Sequence, residues 1–349
     1  MHSRSYLPIY ETTRGSLVES VHFGAIAVVE ISGKLIASYG DPQTVTYMRS
    51  SAKPFQALPF IEAGGEEHYQ LTPAEIALIC ASHSGTDEHV QVATALQSKV
   101  GVEESQLMCG IHPPFDQPTR QAMRARSETP SPNRHDCSGK HTGMIAYARM
   151  QGWPAQDYLD HNHPVQQAIL ATFAEMVELP KDEVTLGTDG CSAPNFAVPL
   201  YNAALAYARL ADPSRLTAKR AAACRTITSS LVARPDMVAG PGRFDTILMG
   251  VARDRIISKG GVEGYQGIAI MADTLSPGSP ALGIALKISD GDRAGPGRTG
   301  VALKVLRQLS ALSNSQMESL SDFGPTLTIH NWREIKVGEG RPTFTLKRN

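Results

Sequence analysis

The strongest constraint on this chain is how its strand-forming runs divide between its two ends. VHFGAIAVVEI (21–31) and KLIASYG (34–40) are β-branched and apolar, and Ser32-Gly33 between them marks a hairpin. Strand signals return after residue 245 in TILMGVA, RIISKGG, GYQGIAIMA and ALGIALKIS. TLTIHNW and EIKVG close the chain as strands beyond a helical run, TGVALKVLRQLSAL (299–312). Between residues 50 and 230 the apolar spacing lengthens to three and four residues. PFQALPFIEA, PAEIALICASH, EHVQVATALQSKV, GMIAYARM, PVQQAILATFAEMVEL and FAVPLYNAALAYARL read as helices. Pro113-Pro114, Pro118 and SETPSPNRHD (127–136) break them. Such an order builds one sheet from both chain ends. The expected organisation is a mixed α/β (α+β) unit: a sheet lobe over 1–48 and 240–349, a mainly helical lobe over 49–239, and a site where they meet.

Of the 349 residues, 42% are hydrophobic and 19% charged, enough to bury a large core. The net charge of −1, with both signs mixed along the chain, argues against a nucleic-acid partner. The densest basic patch, Arg120, Arg124, Arg126 and Arg134, is interrupted by Glu128 and two prolines and reads as a solvated loop. No run approaches a membrane span, and MHSRSYLPIYETTRGSLVES lacks the apolar core of a secretory signal, so a cytoplasmic location is expected. Five cysteines (Cys80, Cys109, Cys137, Cys191, Cys224) suit thiols, metal ligands or core residues better than a disulfide framework.

Ser50-Ser51-Ala52-Lys53 places a hydroxyl and an amine three residues apart, within reach of each other on one helical face. Base catalysis needs the amine neutral, so burial or a second cation must depress a pKa that is ordinarily about 10.4. Ser82-His83-Ser84 and Lys259-Gly260-Gly261 follow in the chain. Serine-x-x-lysine, a serine-x-polar triplet and lysine-x-glycine, in that order, form the pattern of the β-lactamase and penicillin-binding acyl-transferases. Taken singly, each has a plainer reading: a helix N-cap with a solvated lysine, a turn serine, and a hairpin end.

A second concentration is HDCSGKHTGM (135–144), followed by TDGCSAPN (188–195). Cys137 and Cys191 are candidates for a zinc, with a further ligand from Lys140, His135, His141 or Asp189. A cysteine nucleophile served by His135 or His141, and ordinary buried thiols, stand beside that reading. Gly295-x-Gly297-x-x-Gly300 matches the dinucleotide fingerprint literally, but no βαβ unit follows, so no nucleotide is expected. Asp160-His161-Asn162-His163 ahead of Pro164 reads as a polar helix start rather than a chelate.

RSSAKPFQ, CASHSG, HDCSGKHTGM, DGCSAPNFAVPL, VAGPGRFDT and KGGVEG, in that order, resemble the asparaginase II family of the rhizobial, class 3 type. The resemblance runs over nearly the whole chain. It implies a β-lactamase/glutaminase-like fold, a homodimer, and hydrolysis of L-asparagine to L-aspartate and ammonia. The family's serine-lysine pairs fall on Ser50 with Lys53 and on Ser82 with Lys259. Its zinc ligands fall on Cys137, Lys140 and Cys191, the metal being structural or substrate-orienting, with Asp189 holding a metal-bound water. For the substrate's charged ends, Arg49 or Arg243 is expected at the α-carboxylate and Asp189 at the α-ammonium, with His141 in the same binding set. One departure stands out: Asp136 occupies the position before the first zinc cysteine, where asparagine is expected. The alternatives are a penicillin-recognising or other serine-lysine amidohydrolase, and a zinc- and amino-acid-binding protein without turnover.

Overall fold

A computed structural model describes residues 5–293 and 295–349. Residues 1–4 of the stretch read above as lacking a leader lie outside them. The chain divides into two compact units. The first takes the N-terminal stretch up to Ser51, then Val198–Asp212 and Ile247–Asn349; the second takes Ala52–Ala197 and Pro213–Thr246.

Among the described residues the strands are β1 Leu7–Arg14, β2 Leu17–Glu30, β3 Leu35–Tyr39, β4 Val45–Tyr47, β5 Thr185–Thr188, β6 Pro194–Pro199, β7 Ile256–Gly261, β8 Tyr265–Ile270, β9 Leu282–Ile288, β10 Leu327–His330, β11 Lys336–Pro342 and β12 Lys347–Arg348. The first unit is built on a sheet in the order β10-β11-β1-β2-β9-β8-β7, with β3 joining β2 to β12. Long β2 carries β1 against its N-terminal half and β3 against its C-terminal half, while β9 runs along the other edge from Gly24 to Glu30. All these pairings are antiparallel, which is what lets short turns join most neighbours. β8 and β9 are buried at every position, so both faces are covered. The Leu200–Ala211 helix packs on β2, β8 and β9, and the Gly297–Gln308 helix on β1, β9 and β11.

The former contact is close. A Cβ added at Gly283 would lie 1.8 Å from the Ala204 carbonyl oxygen and 2.5 Å from the Ala208 nitrogen. Because both are backbone atoms, relief requires the helix to move. Gly283→Ala is therefore expected to cost about 3 kcal/mol or more, measured by urea unfolding. Gly250→Ala, at an exposed helical glycine with open space around its Cβ, is expected to be neutral or stabilising by up to about 1 kcal/mol.

Three readings of the sequence are corrected. TILMGVA lies in a helix, Phe244–Ala252, despite its β-branched residues, because tertiary context overrides so weak a local preference. The Leu200–Ala211 helix groups with the sheet rather than with the helical stretch, since its apolar face covers the glycines of the central strands. The basic patch is not a solvated loop: Arg120 and Arg124 lie in a helix, Gln117–Ala125, started by Asp116 and Pro118. Arg134 is buried, bonded to Asp87 at 2.7 Å, Glu128 at 2.9 Å and the Gly85 carbonyl at 3.0 Å.

In the second unit the Lys53–Glu62 helix packs against the Ser138–Met150, Pro164–Val177 and Ala218–Ala233 helices. The Pro73–Ile79 helix is the neighbour of Asp87–Val100, Ser138–Met150 and Ala218–Ala233. A Cβ on Gly139 would lie 2.2 Å from the Leu78 carbonyl oxygen, so only glycine lets the start of the 138–150 helix approach the end of the 73–79 helix. That approach brings the segment after Ile79 beside the start of the 138–150 helix, where the His83 amide bonds to the Asp136 carbonyl. Asp160 to His163 precede the Pro164 helix, and His163 Nδ1 accepts from the Val165 amide as its cap.

Candidate active site

Ser50 lies in a 3-10 turn, Arg49–Ala52, of the first unit and is 7% exposed. It is not an N-cap: that position belongs to Ala52, which makes no side-chain cap. Arg49 enters the turn with φ +52, a strained conformation for a residue with a Cβ. The turn is anchored within its own unit. Ser51 Oγ donates to the Lys259 carbonyl at 2.6 Å, and Tyr207 donates to the Ser51 carbonyl at 2.7 Å. Lys259 is 1% exposed on β7, and its Nζ donates to the Gly260 carbonyl at 3.0 Å.

Lys53 opens the 53–62 helix with Pro54 behind it, where a missing N–H costs nothing. Its ammonium is 1% exposed and donates to the Ala81 carbonyl at 2.5 Å and to Ser82 Oγ at 2.9 Å. The Asp136 carboxylate lies 3.6 Å away and the Asp136 carbonyl 3.5 Å. Ser82 sits half-buried just past the 73–79 helix, its amide held by the Val238 carbonyl at 2.9 Å, and the next amide by the Asp136 carbonyl at 3.3 Å. The Lys53–Ser82 hydrogen bond is a pairing the spacing of the motifs does not suggest.

Electrostatics here run opposite to the depressed lysine that the sequence calls for. Burial pulls the Lys53 pKa down, but Cys137 and Asp136 outweigh it and hold the cation above its ordinary value. Asp136 is the mirror image: burial pushes its carboxyl up, and Lys53, His112 and His135 more than reverse that, leaving it well below the usual carboxylate range. The carboxylate at this position is thus a principal reason the lysine stays charged.

A few residues on, the 138–150 helix starts from Cys137, with every side chain from Ser138 to Ala148 buried. Cys191 reaches it from the loop joining β5 to β6, where Asp189 and Ala193 close the turn and Ser192 takes φ +69. Gln56 Nε2 ties that loop to the 53–62 helix through the Pro194 carbonyl at 3.2 Å. Lys140 Nζ lies 2.9 Å from Cys191 Sγ. A hydrogen bond from Cys137, with Lys140 beside it, drives the Cys191 thiol far below its normal pKa; the same bond, burial and Asp136 push Cys137 well above. The structure thus brings Cys137, Lys140 and Cys191 together as one thiolate-ammonium group. His141 is fully buried, its Nδ1 2.6 Å from the Tyr158 hydroxyl and its Nε2 without a hydrogen-bond partner. Burial lowers its pKa to about 4, so it is neutral and able to act as a ligand. Asp189 is half-buried, accepting from the Gly190 amide at 2.8 Å, and Arg243 is exposed.

Sequence reasoning missed His112. Its Nε2 lies 3.4 Å from Asp136 Oδ1, and its ring centroid 4.3 Å from that of His135. IHPPF carries no local signal of this, since the partners are more than twenty positions away.

The profile of L-asparaginase II matches residues 10–342. The chain belongs to the L-asparaginase II family. Membership makes it an amidohydrolase with a small-molecule substrate. No curated protein sequence matches it. Among solved structures it is similar to the protein Mglu in its native form, at 14% identity and a TM-score of 0.44, covering 83% of this chain and 66% of that one. A probable glutaminase from Bacillus subtilis, complexed with 6-diazo-5-oxo-L-norleucine, shows 12% identity and a TM-score of 0.39 over 82% of this chain and 84% of that one. A beta-lactamase from Burkholderia ambifaria shows 12% identity and a TM-score of 0.39 over 84% and 96%. Among the described residues no helix is long and apolar enough to cross a membrane.

Proposed function

We propose that this amidohydrolase is an L-asparaginase, with Ser50 attacking the side-chain amide carbon of L-asparagine and Lys53 taking its proton. The observation that carries a serine-lysine chemistry is the fully buried Lys53 amine 2.9 Å from the Ser82 hydroxyl; Ser50 is assigned the attack from the family resemblance of Ser50-Ser51-Ala52-Lys53. Ammonia leaves, an aspartyl ester remains on the serine, and water releases L-aspartate. Lys259 and Ser82 relay protons. Arg49 or Arg243 meets the substrate's α-carboxylate and Asp189 its α-ammonium, with His141 in the same binding set. The same hydrogen bond favours a second reading, in which Ser82 is the nucleophile and Lys53 its base. Purified protein is expected to release ammonia and L-aspartate in equal amounts from L-asparagine. Nitrocefin turnover or covalent labelling by a penicillin would point instead to a penicillin-recognising hydrolase, and asparagine binding by calorimetry without ammonia to a binding protein. A homodimer and a cytoplasmic location belong to the same proposal, the former checked by light scattering.

Cys137, Lys140 and Cys191 fit a zinc. Two buried sulfurs, an amine already at one of them and the unpartnered His141 Nε2 nearby in sequence form a donor set soft enough for that ion. When bound, zinc supplies positive charge that offsets the sulfurs and rigidity to the loop carrying Asp189. The Cys137 sulfur is the first influence holding Lys53 cationic. Zinc removal is therefore expected to move the rising limb of kcat/KM to higher pH, so that activity lost near neutrality returns in alkaline buffer. Steady-state rates across pH, with metal content measured on the same samples, check this. An equal loss at every pH would contradict it.

A further inference from the structure

The structure assigns a second divalent-metal site, separate from the two cysteines, to His112 Nε2, His135 Nδ1 and Asp136 Oδ1. All three residues belong to the second unit. Their donor atoms lie within 4.8 Å of one another. His112 Nε2 is 3.4 Å and His135 Nδ1 3.1 Å from Asp136 Oδ1. Nitrogen and oxygen donors held about 2.1 Å from one ion sit roughly 3.0 Å apart along an octahedral edge and 3.4 Å along a tetrahedral one. The two spacings to Asp136 Oδ1 match those edges.

The protonation pattern points the same way. His112 Nδ1 lies 2.7 Å from the Pro113 carbonyl, which can only accept, so that nitrogen carries the proton and Nε2 keeps its lone pair. A carbonyl fixing the distal nitrogen in this way is the usual outer support of a metal-binding histidine. His112 Nε2 accepts from the Asp136 amide and His135 Nδ1 from the Cys137 amide, each at 3.1 Å. Two ring nitrogens and a carboxylate oxygen thus converge, with Cys137 Sγ also 3.3 Å from that oxygen, and a bound ion would take the place of the two amide hydrogen bonds. A single divalent ion satisfies all three donors at once.

Imidazole and carboxylate donors suit Zn²⁺, Co²⁺ or Ni²⁺. The side chains of His112 and Asp136 are 24% and 16% exposed, so water can complete the coordination. Asp136, the position where the family resemblance leads one to expect asparagine, supplies the anionic ligand, and an amide there would be a far weaker one.

The test is a titration of the full-length, zinc-loaded protein with CoCl₂, followed by calorimetry and visible absorption. One further ion per chain is expected, with d–d bands and no sulfur-to-cobalt charge-transfer band. His112→Ala and Asp136→Asn, each shown folded by near-UV circular dichroism, are expected to weaken that binding roughly tenfold or more. If one variant fails to fold, the other decides. Uptake of no further ion would overturn the assignment. So would a charge-transfer band, which places cobalt on the thiolates, or an affinity unchanged by the folded variants. Because the readout is binding, it stands apart from whether the protein turns over asparagine.

Discussion

Ser50→Ala is expected to lower kcat for ammonia release from L-asparagine by at least about 10³-fold, since removing a nucleophile deletes the covalent route altogether. The fold should hardly register the change. Ser50 loses one oxygen, while the turn keeps its anchors through Ser51 Oγ to the Lys259 carbonyl and through Tyr207. Unfolding free energy is therefore expected to stay within about 1 kcal/mol of wild type. The informative comparison is Ser82→Ala. A proton-relay role predicts a smaller loss at Ser82 than at Ser50. If Ser50→Ala keeps most of the activity and Ser82→Ala abolishes it, the 2.9 Å contact between Lys53 Nζ and Ser82 Oγ identifies the nucleophile, and the two serines exchange roles.

Lys53→Met carries the second large effect, a fall in kcat/KM on the order of 10³-fold from loss of the general base. Methionine fills much of the lysine's volume, so packing against the 138–150 and 164–177 helices should survive. The pH profile separates a base from a structural prop. In the wild type, Cys137 and Asp136 overcome burial and favour the charged amine, so the neutral base becomes more abundant as pH rises and kcat/KM should climb on the alkaline side of neutrality. In Lys53→Met the residual rate should lose that limb. A variant that is merely slower, with the wild-type pH dependence intact, would remove Lys53 from proton transfer.

Much of the architecture was legible from side-chain period alone. The runs at 21–31, 34–40, 256–261, 265–270 and 282–288 are strands because their β-branched residues are buried in a sheet that also covers its second face. β1 escaped because LPIYETTR mixes exposed polar residues with a short buried pair, Ile9 and Tyr10, and has no sustained alternation. β5 escaped because TLGT is four residues long and mostly exposed, so no burial pattern was imposed on it. β6 runs directly into the 200–211 helix, and one apolar stretch therefore concealed two elements.

The grouping of the candidate side chains was legible where they cluster along the chain. HDCSGKHTGM and TDGCSAPN announce the thiolates, and the structure brings Cys137, Lys140 and Cys191 together. Contacts made only in three dimensions were not legible. Nothing in the spacing joins Lys53 to Ser82, or His112 to Asp136, because helix packing and the glycine contact at Gly139 create those neighbours. The charge state of Lys53 was the least accessible. Its burial could be guessed from the apolar helix around it, but the anionic groups that reverse the effect of burial arrive from another helix start.

The most direct test is to trap the intermediate. Wild-type protein mixed with L-asparagine, quenched in acid within a turnover and analysed by mass spectrometry, should carry one aspartyl ester per chain, and fragmentation should place it on Ser50. An ester on Ser82 would keep the serine-lysine chemistry but assign it to the other hydroxyl. Turnover with no ester on any serine would contradict the covalent mechanism.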